Sequence, residues 1–154
     1  MTGRLIATLM ILTIAVGCGR VADSRLNPLN WFGSSRPVAV TPVTASETGD
    51  PRPLVDQVIA LRIDRNAGGA IIRATGLPAQ QGYWDGELIA LNDGEPVNGV
   101  IEYRFHIKPP LTPTRVSTQQ SREVIVGQYL TRQELDNVRE IRVSGARNAR
   151  AVSR

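Results

Sequence analysis

The chain has 154 residues, 42% of them hydrophobic, and a formal net charge of +4 at neutral pH. That length suits one domain whose polar ends lie outside it. Its eighteen basic residues are seventeen arginines and Lys108, and from Arg20 to Arg154 they are spread among acids, so no concentrated patch for nucleic acid stands out and none is expected as a partner.

Residues 1–17 begin with Arg4 and continue as "LIATLMILTIAV" without a charge. The uncharged run from Leu5 to Gly17 is thirteen residues, short of the roughly 20 that a spanning helix needs, and reads as the apolar core of an export signal. Cys18, the sole cysteine, follows at once. With no second cysteine, the exported domain has no internal disulfide, and its stability is expected to come from packing.

The sequence "AVGC" at 15–18 resembles the lipobox of bacterial lipoproteins, in which small residues precede an obligatory cysteine. The resemblance implies that Cys18 receives a diacylglyceryl group, that the signal is cut before it, and that the new amino terminus is acylated with a fatty chain such as palmitate. Each buried methylene contributes about 0.8 kcal/mol, so two or more chains hold a protein stably on a bilayer. Gly19 stands where some lipoproteins carry an inner-membrane retention aspartate. The expected location is therefore the periplasmic face of the outer membrane, with the inner membrane as the alternative. Without the resemblance, residues 5–17 would read as an uncleaved anchor or an ordinary cleaved signal.

An apolar island, Leu29, Trp31 and Phe32, follows within about fifteen residues of the acyl chains. It fits either an interfacial aromatic anchor, helped by Arg20, Arg25 and Arg36, or a short docking motif covered by a partner or by the domain itself. Residues 34–53 hold four prolines among Ser, Thr, Gly and Asp. Residues 18–53 are accordingly expected to form a disordered, membrane-proximal linker, whose Pro-rich stretch 34–53 could at polyproline pitch hold a domain on the order of 60 Å from the bilayer.

From residue 54 to 154 the period becomes two, the signature of strands buried on one face. "QVIALRID" places Ile59, Leu61 and Ile63 opposite Ala60, Arg62 and Asp64. The turn residues "RNAGG" and the run "AIIRATG" complete a hairpin over 57–75. "GYWDGELIAL" is a third strand, with Trp84 assigned to core packing in preference to a surface anchor. "GVIEYRFHIK" sets Ile101, Tyr103, Phe105 and Ile107 against Glu102, Arg104, His106 and Lys108, which reads as a strand with one wet face. "SREVIVGQYL" opposes Val124 and Val126 to Ile125 and Tyr129. Thr131 and Glu134 have capping-box spacing, which predicts one or two helical turns. "REIRVSGA" and "ARAVSR" end the chain as strands. The expectation is an all-β immunoglobulin-like or fibronectin-like sandwich of six to seven strands with one short helix, an open barrel being the alternative.

Chemistry is thinly supplied. His106 is the only histidine, and no carboxylate two residues away orients it, so no catalytic residue is expected. Asp85, Glu87, Asp93 and Glu95 could meet at one end of the sandwich, but they lack the full pattern of a calcium loop and fit turn chemistry better. No metal site and no cofactor is expected. Two features fit recognition: the face of Glu102, Arg104, His106 and Lys108 with Trp84 nearby, and the basic end with Arg139, Arg142, Arg147, Arg150 and Arg154, which reads equally as a solvated tail.

Taken together, lipobox, tether and single β domain resemble small, functionally uncharacterised envelope lipoproteins of alphaproteobacteria that carry an "SRLNPxNWFG" segment after the cysteine. That resemblance names no activity, and the expectation is a membrane-anchored, non-enzymatic envelope lipoprotein whose sandwich binds another envelope protein or stabilises an assembly. A carrier or sensor module for a small ligand or glycan is the alternative, and a hydrolase of envelope polymers the least supported.

Overall fold

Runs with a period of two pair wherever turns bring them together, and the turns of this chain do so repeatedly. The computed structural model describes residues 35–38 and 49–153. Their strands are β1 (Arg36–Val38), β2 (Gln57–Arg65), β3 (Gly69–Leu77), β4 (Trp84–Ala90), β5 (Val100–Lys108), β6 (Val124–Thr131), β7 (Glu140–Ser144) and β8 (Ala149–Ser153). Short 3-10 turns lie at Asn92–Gly94 and Gln120–Arg122. The strands form two sheets, ordered β1-β8-β7-β5-β4 and β2-β3-β6, that enclose one core as an all-β sandwich. All paired strands are antiparallel except β5 and β7. This order differs from the ABED and CFG sheets of immunoglobulin domains, so the likeness is one of architecture.

The β2–β3 hairpin follows from its turn. Asn66 Oδ1 accepts from the backbone N–H groups of Gly68 (2.9 Å) and Gly69 (2.8 Å), holding the chain in an Asx turn. In β2 the simple alternation breaks. A bulge between Val58 and Ala60 lets Val58 and Leu61 both reach the core, and Ile59, expected inward, is only half-buried. Asn148, just before β8, ties this bulge: its Oδ1 accepts from Val58 N–H (2.7 Å) and its Nδ2 donates to Val58 C=O (2.9 Å). The side chain so joins the edge of one sheet to the other.

Strand β5 runs through the centre of the larger sheet. Ile101, Tyr103, Phe105 and Ile107 enter the core as the alternation predicts, opposite Ile72, Ala74, Val126 and Leu130 of the smaller sheet. On its other edge β5 pairs with β7 only as far as Arg104 and Ser144. Beyond that, residues 53–55 take over: Val55 N–H donates to Phe105 C=O (2.8 Å), and Ile107 N–H donates to Pro53 C=O (3.0 Å).

The capping box at Thr131 forms. Thr131 N–H donates to Glu134 Oε2 (2.8 Å) and Glu134 N–H donates to Thr131 Oγ1 (3.2 Å). It closes a single turn with an i+4 bond, Leu135 N–H to Thr131 C=O (3.1 Å), followed by i+3 bonds, so residues 132–137 are a run of turns and not a continuing helix. The reason is that Leu135 and Val138 are drawn into the end of the sandwich, which stops propagation. A second departure is β1. Arg36–Val38 lies inside the stretch read as spacer, yet it pairs with β8, so the domain gathers chain from before residue 54. Pro37 is tolerated there because β1 is an edge strand.

Candidate functional site

The outer face of the larger sheet carries the residues that the sequence marked. Glu102, Arg104, His106 and Lys108 do project from one side of β5, but the expectation of a wet face is corrected. Arg104 is 6% exposed and His106 is 0% exposed. A central strand has neighbours on both sides, and here those neighbours supply counter-charges. Arg142 on β7 stands directly opposite Glu102 and donates to its Oε1 (2.7 Å). Lys108 Nζ lies 2.7 Å from Asp85 Oδ2 on the β4 side.

His106 is tied from above. Its Nδ1 lies 2.6 Å from Arg52 C=O. A carbonyl can only accept, so the proton sits on Nδ1. Asp50 Oδ1 stands 3.8 Å from the same nitrogen. Arg52 spans the rest of the cluster: its Nε and Nη2 grip Asp50 at 3.0 Å and 2.7 Å, and its Nη1 donates to Asp85 C=O at 2.9 Å. Its Nη2 also reaches the carboxylate of Glu87. The hydrogen bonds from Arg52 hold the Asp50 carboxyl down at about 2 against an ordinary 3.8. The paired carboxylates raise Arg52 in turn, and Lys108 lowers Asp85. The shifts hold Asp50, Arg52 and Asp85 in their charged forms near neutral pH, which suits a clamp more than a proton-transfer centre.

Trp84 is corrected as well. It is 50% exposed, and Tyr83 packs against the core instead. The cause is a register break between Trp84 and Glu87, where Asp85 adopts φ +51° and Trp84 and Asp85 both turn outward. Lys108 Nζ sits 4.7 Å from the centroid of the Trp84 ring, a cation–π contact. The basic end is no solvated tail either: β8 buries Ala149, Ala151 and Val152. Arg147 clamps Asp56, Arg150 Nε donates to Val58 C=O (3.0 Å), and Arg139 Nη2 donates to Asn98 C=O (2.8 Å). Cys18, Leu29, Trp31, Phe32 and Arg154 lie outside the described residues.

The four carboxylates of "WDGE" and "NDGEP" are divided by the fold. Asp85 joins the Arg52 and Lys108 cluster. Glu87, which also pairs with Arg52, lines together with Asp93 and Glu95 a groove of about 960 Å³ between the β4 end with its following loop and the turn after β6. The far wall carries Glu134 and Asp136, and the floor holds Leu88, Leu130 and Tyr103. The sequence contained both acidic segments, but only the packing of β4 beside β6 brings them together. Among the described residues, no group of three or more histidines, cysteines or carboxylates converges to hold a metal ion.

Comparison of the chain with protein-family models, with curated proteins and with solved structures finds no match.

Proposed function

We propose that the protein is a lipid-anchored binding module of the bacterial envelope, held by acyl chains on Cys18 and acting without chemistry of its own through its β-sandwich. The observation that carries the binding role is the outer face of the smaller sheet. Ile125 is 63% exposed and Tyr129 46% exposed, both on the edge strand β6, with Ile71 directly opposite Tyr129 on β3. An apolar strip along a sheet edge is a surface that proteins otherwise protect, and a partner protein is the natural cover. The sealed position of His106 supports the non-enzymatic part of the reading.

Replacing Ile125 by a photocrosslinking residue in the full chain, expressed in cells, tests this. A discrete protein adduct is expected, lost when Cys18→Ser leaves the precursor unprocessed. No specific adduct, or a wild-type mass equal to the unmodified chain, overturns the reading. A second reading, a module for a small ligand, is favoured by one observation: the acidic groove described above falls within the size of ordinary ligand sites, about 300–1,000 Å³.

A further inference from the structure

Four strands end the two sheets, β1 and β4 in the larger and β2 and β6 in the smaller. An end strand offers unpaired N–H and C=O groups to any other strand, and proteins blunt it by shortness, proline, bulges, charge or cover. Three of these four are blunted. β1 has three residues and contains Pro37. β4 carries Asp85 and Glu87, is bulged between Trp84 and Glu87, and has Arg52 donating to Asp85 C=O (2.9 Å). β2 carries Arg62, Asp64 and Arg65 and is bulged at Val58, whose N–H and C=O are held by Asn148. Ser35 Oγ accepts from Leu61 N–H (3.3 Å) further along the same edge.

β6 is the exception. Its sequence "VIVGQYLT" has no charge and no proline, and it pairs with β3 in unbroken register. The free edge can be traced from the strand's end. Arg132 N–H donates to Gly68 C=O beside β3, whereas Thr131 N–H donates to Glu134 and Thr131 C=O accepts from Leu135. Bonded and non-bonded pairs alternate along an antiparallel ladder, so Tyr129, Gly127 and Ile125 also turn their backbone groups away from β3. The Gln128 amide loosely covers Tyr129 C=O at 3.3 Å. The side chains of Ile125 and Tyr129 are exposed on the outer face, and Gly127 lies exposed between them.

The order of these residues names the occupant. Two places from Gly127 in either direction stands a large apolar residue, Ile125 on one side and Tyr129 on the other. Laid antiparallel on its own copy with Gly127 facing Gly127, β6 sets Ile125 against the second copy's Tyr129 and Tyr129 against its Ile125. β3 extends each row, with Ile71 beside Tyr129 and Thr75 beside Ile125. Pairs of an aromatic with a β-branched residue are favourable across strands, and β6 brings no like charges together. Each facing pair exchanges both N–H to C=O bonds, replacing the cover from Gln128.

We propose that a second copy of this chain pairs with β6 in antiparallel register about Gly127, joining the smaller sheets of the two copies into one. The inference rests on the reading of the β6 strip as a binding surface and names what covers it.

Sedimentation velocity of the full acylated chain, with detergent micelles in excess over protein, tests it. A dimer that dissociates on dilution is expected. A side chain at 127 has room, since an added Cβ meets nothing closer than Ile71 Cγ2 at 3.7 Å. Gly127→Glu and Gly127→Lys each set like charges face to face and should raise the dissociation constant at least about tenfold. An equimolar mixture of the two should regain the dimer, because opposite charges then face each other. Gly127→Cys should form an interchain disulfide on mild oxidation, the facing Cα atoms being about 5.5 Å apart. Glu95→Cys, exposed and off the strand, should not, and wild type reports any contribution from Cys18.

Circular dichroism of each variant reports folding, and if a charged variant loses its β signal the Gly127→Cys disulfide decides. A monomeric wild type, charged variants that dimerise like wild type, a mixture that stays monomeric, or no disulfide overturns the proposal. Crosslinking from Ile125 separates it from the reading beneath it. An adduct of two copies supports both, an adduct with a different protein overturns self-pairing alone, and no adduct overturns both.

Discussion

Gly76 on β3 offers a sharp test of how tightly the sandwich is filled. A Cβ added there would stand 2.7 Å from Phe105 Cε1, 2.9 Å from Phe105 Cζ and 2.8 Å from Val55 Cγ2. Both neighbours are fully buried, so neither can swing into solvent. Replacing a strand glycine by alanine ordinarily gains about 0.5–1 kcal/mol by restricting the unfolded chain. Overpacking a filled core costs about 1–3 kcal/mol. The second effect should win, leaving Gly76→Ala about 1–2 kcal/mol less stable than wild type. Gly127 on β6 supplies the contrast: its added Cβ would meet Ile71 Cγ2 at 3.7 Å and Ile72 C=O at 3.9 Å, ordinary contacts, so Gly127→Ala should gain about 0.5 kcal/mol. Urea denaturation followed by circular dichroism measures both, with the slope checked for constancy. In the Gly76→Ala background, Phe105→Leu should cost less than it does in wild type, because it relieves the clash. A Gly76→Ala protein as stable as wild type at unchanged slope would refute the reasoning.

Three further predictions concern single groups. The lowered Asp50 carboxyl contributes stability that is full above its unfolded value of 3.8 and is lost as pH falls through about 2; acid titration of stability should lose that segment when Arg52→Met removes the cause. Asn148→Ala should destabilise by about 1–3 kcal/mol, because Val58 N–H at the bulge loses its acceptor, and a denaturant midpoint unchanged from wild type would contradict the role given to this residue. The Tyr103 phenol, held near 12, should be the last of the tyrosines to ionise in an ultraviolet pH titration; Tyr103→Phe should remove that final step and no earlier one.

Local rules in the sequence carried much of the fold. The period of two in β5 assigned its inward set, Asn66 announced the turn after β2, and Thr131 with Glu134 announced a capped turn, because each depends on residues a few positions apart. What escaped depends on distant chain. Glu102 reads as solvent-facing until β7 places Arg142 opposite it. Arg104 and His106 read the same way until β5 proves to be an interior strand. The bulges in β2 and β4 each insert one residue, which moved Val58 inward and Trp84 outward against a strict alternation. β1 is three residues in a proline-rich stretch, and its partner lies at the other end of the domain. The groove shared this difficulty: its two acidic walls belong to segments separated by β5 and β6.

The pairing of β1 with β8 also sets an order of events. A ribosome delivers Arg36 long before its partner Ala151, so the larger sheet cannot close this edge until β8 has been made. The parallel pair β5–β7 waits likewise, since β7 must cross over from the far end of β6 before it can dock. The β2–β3 hairpin is free to form early, but alone it has no second layer to cover it. Contacts of such long span make for slow closure. An emerging chain therefore stays open until β8 has been made, and loss of β8 would leave β1 without a partner and one edge of β7 unpaired.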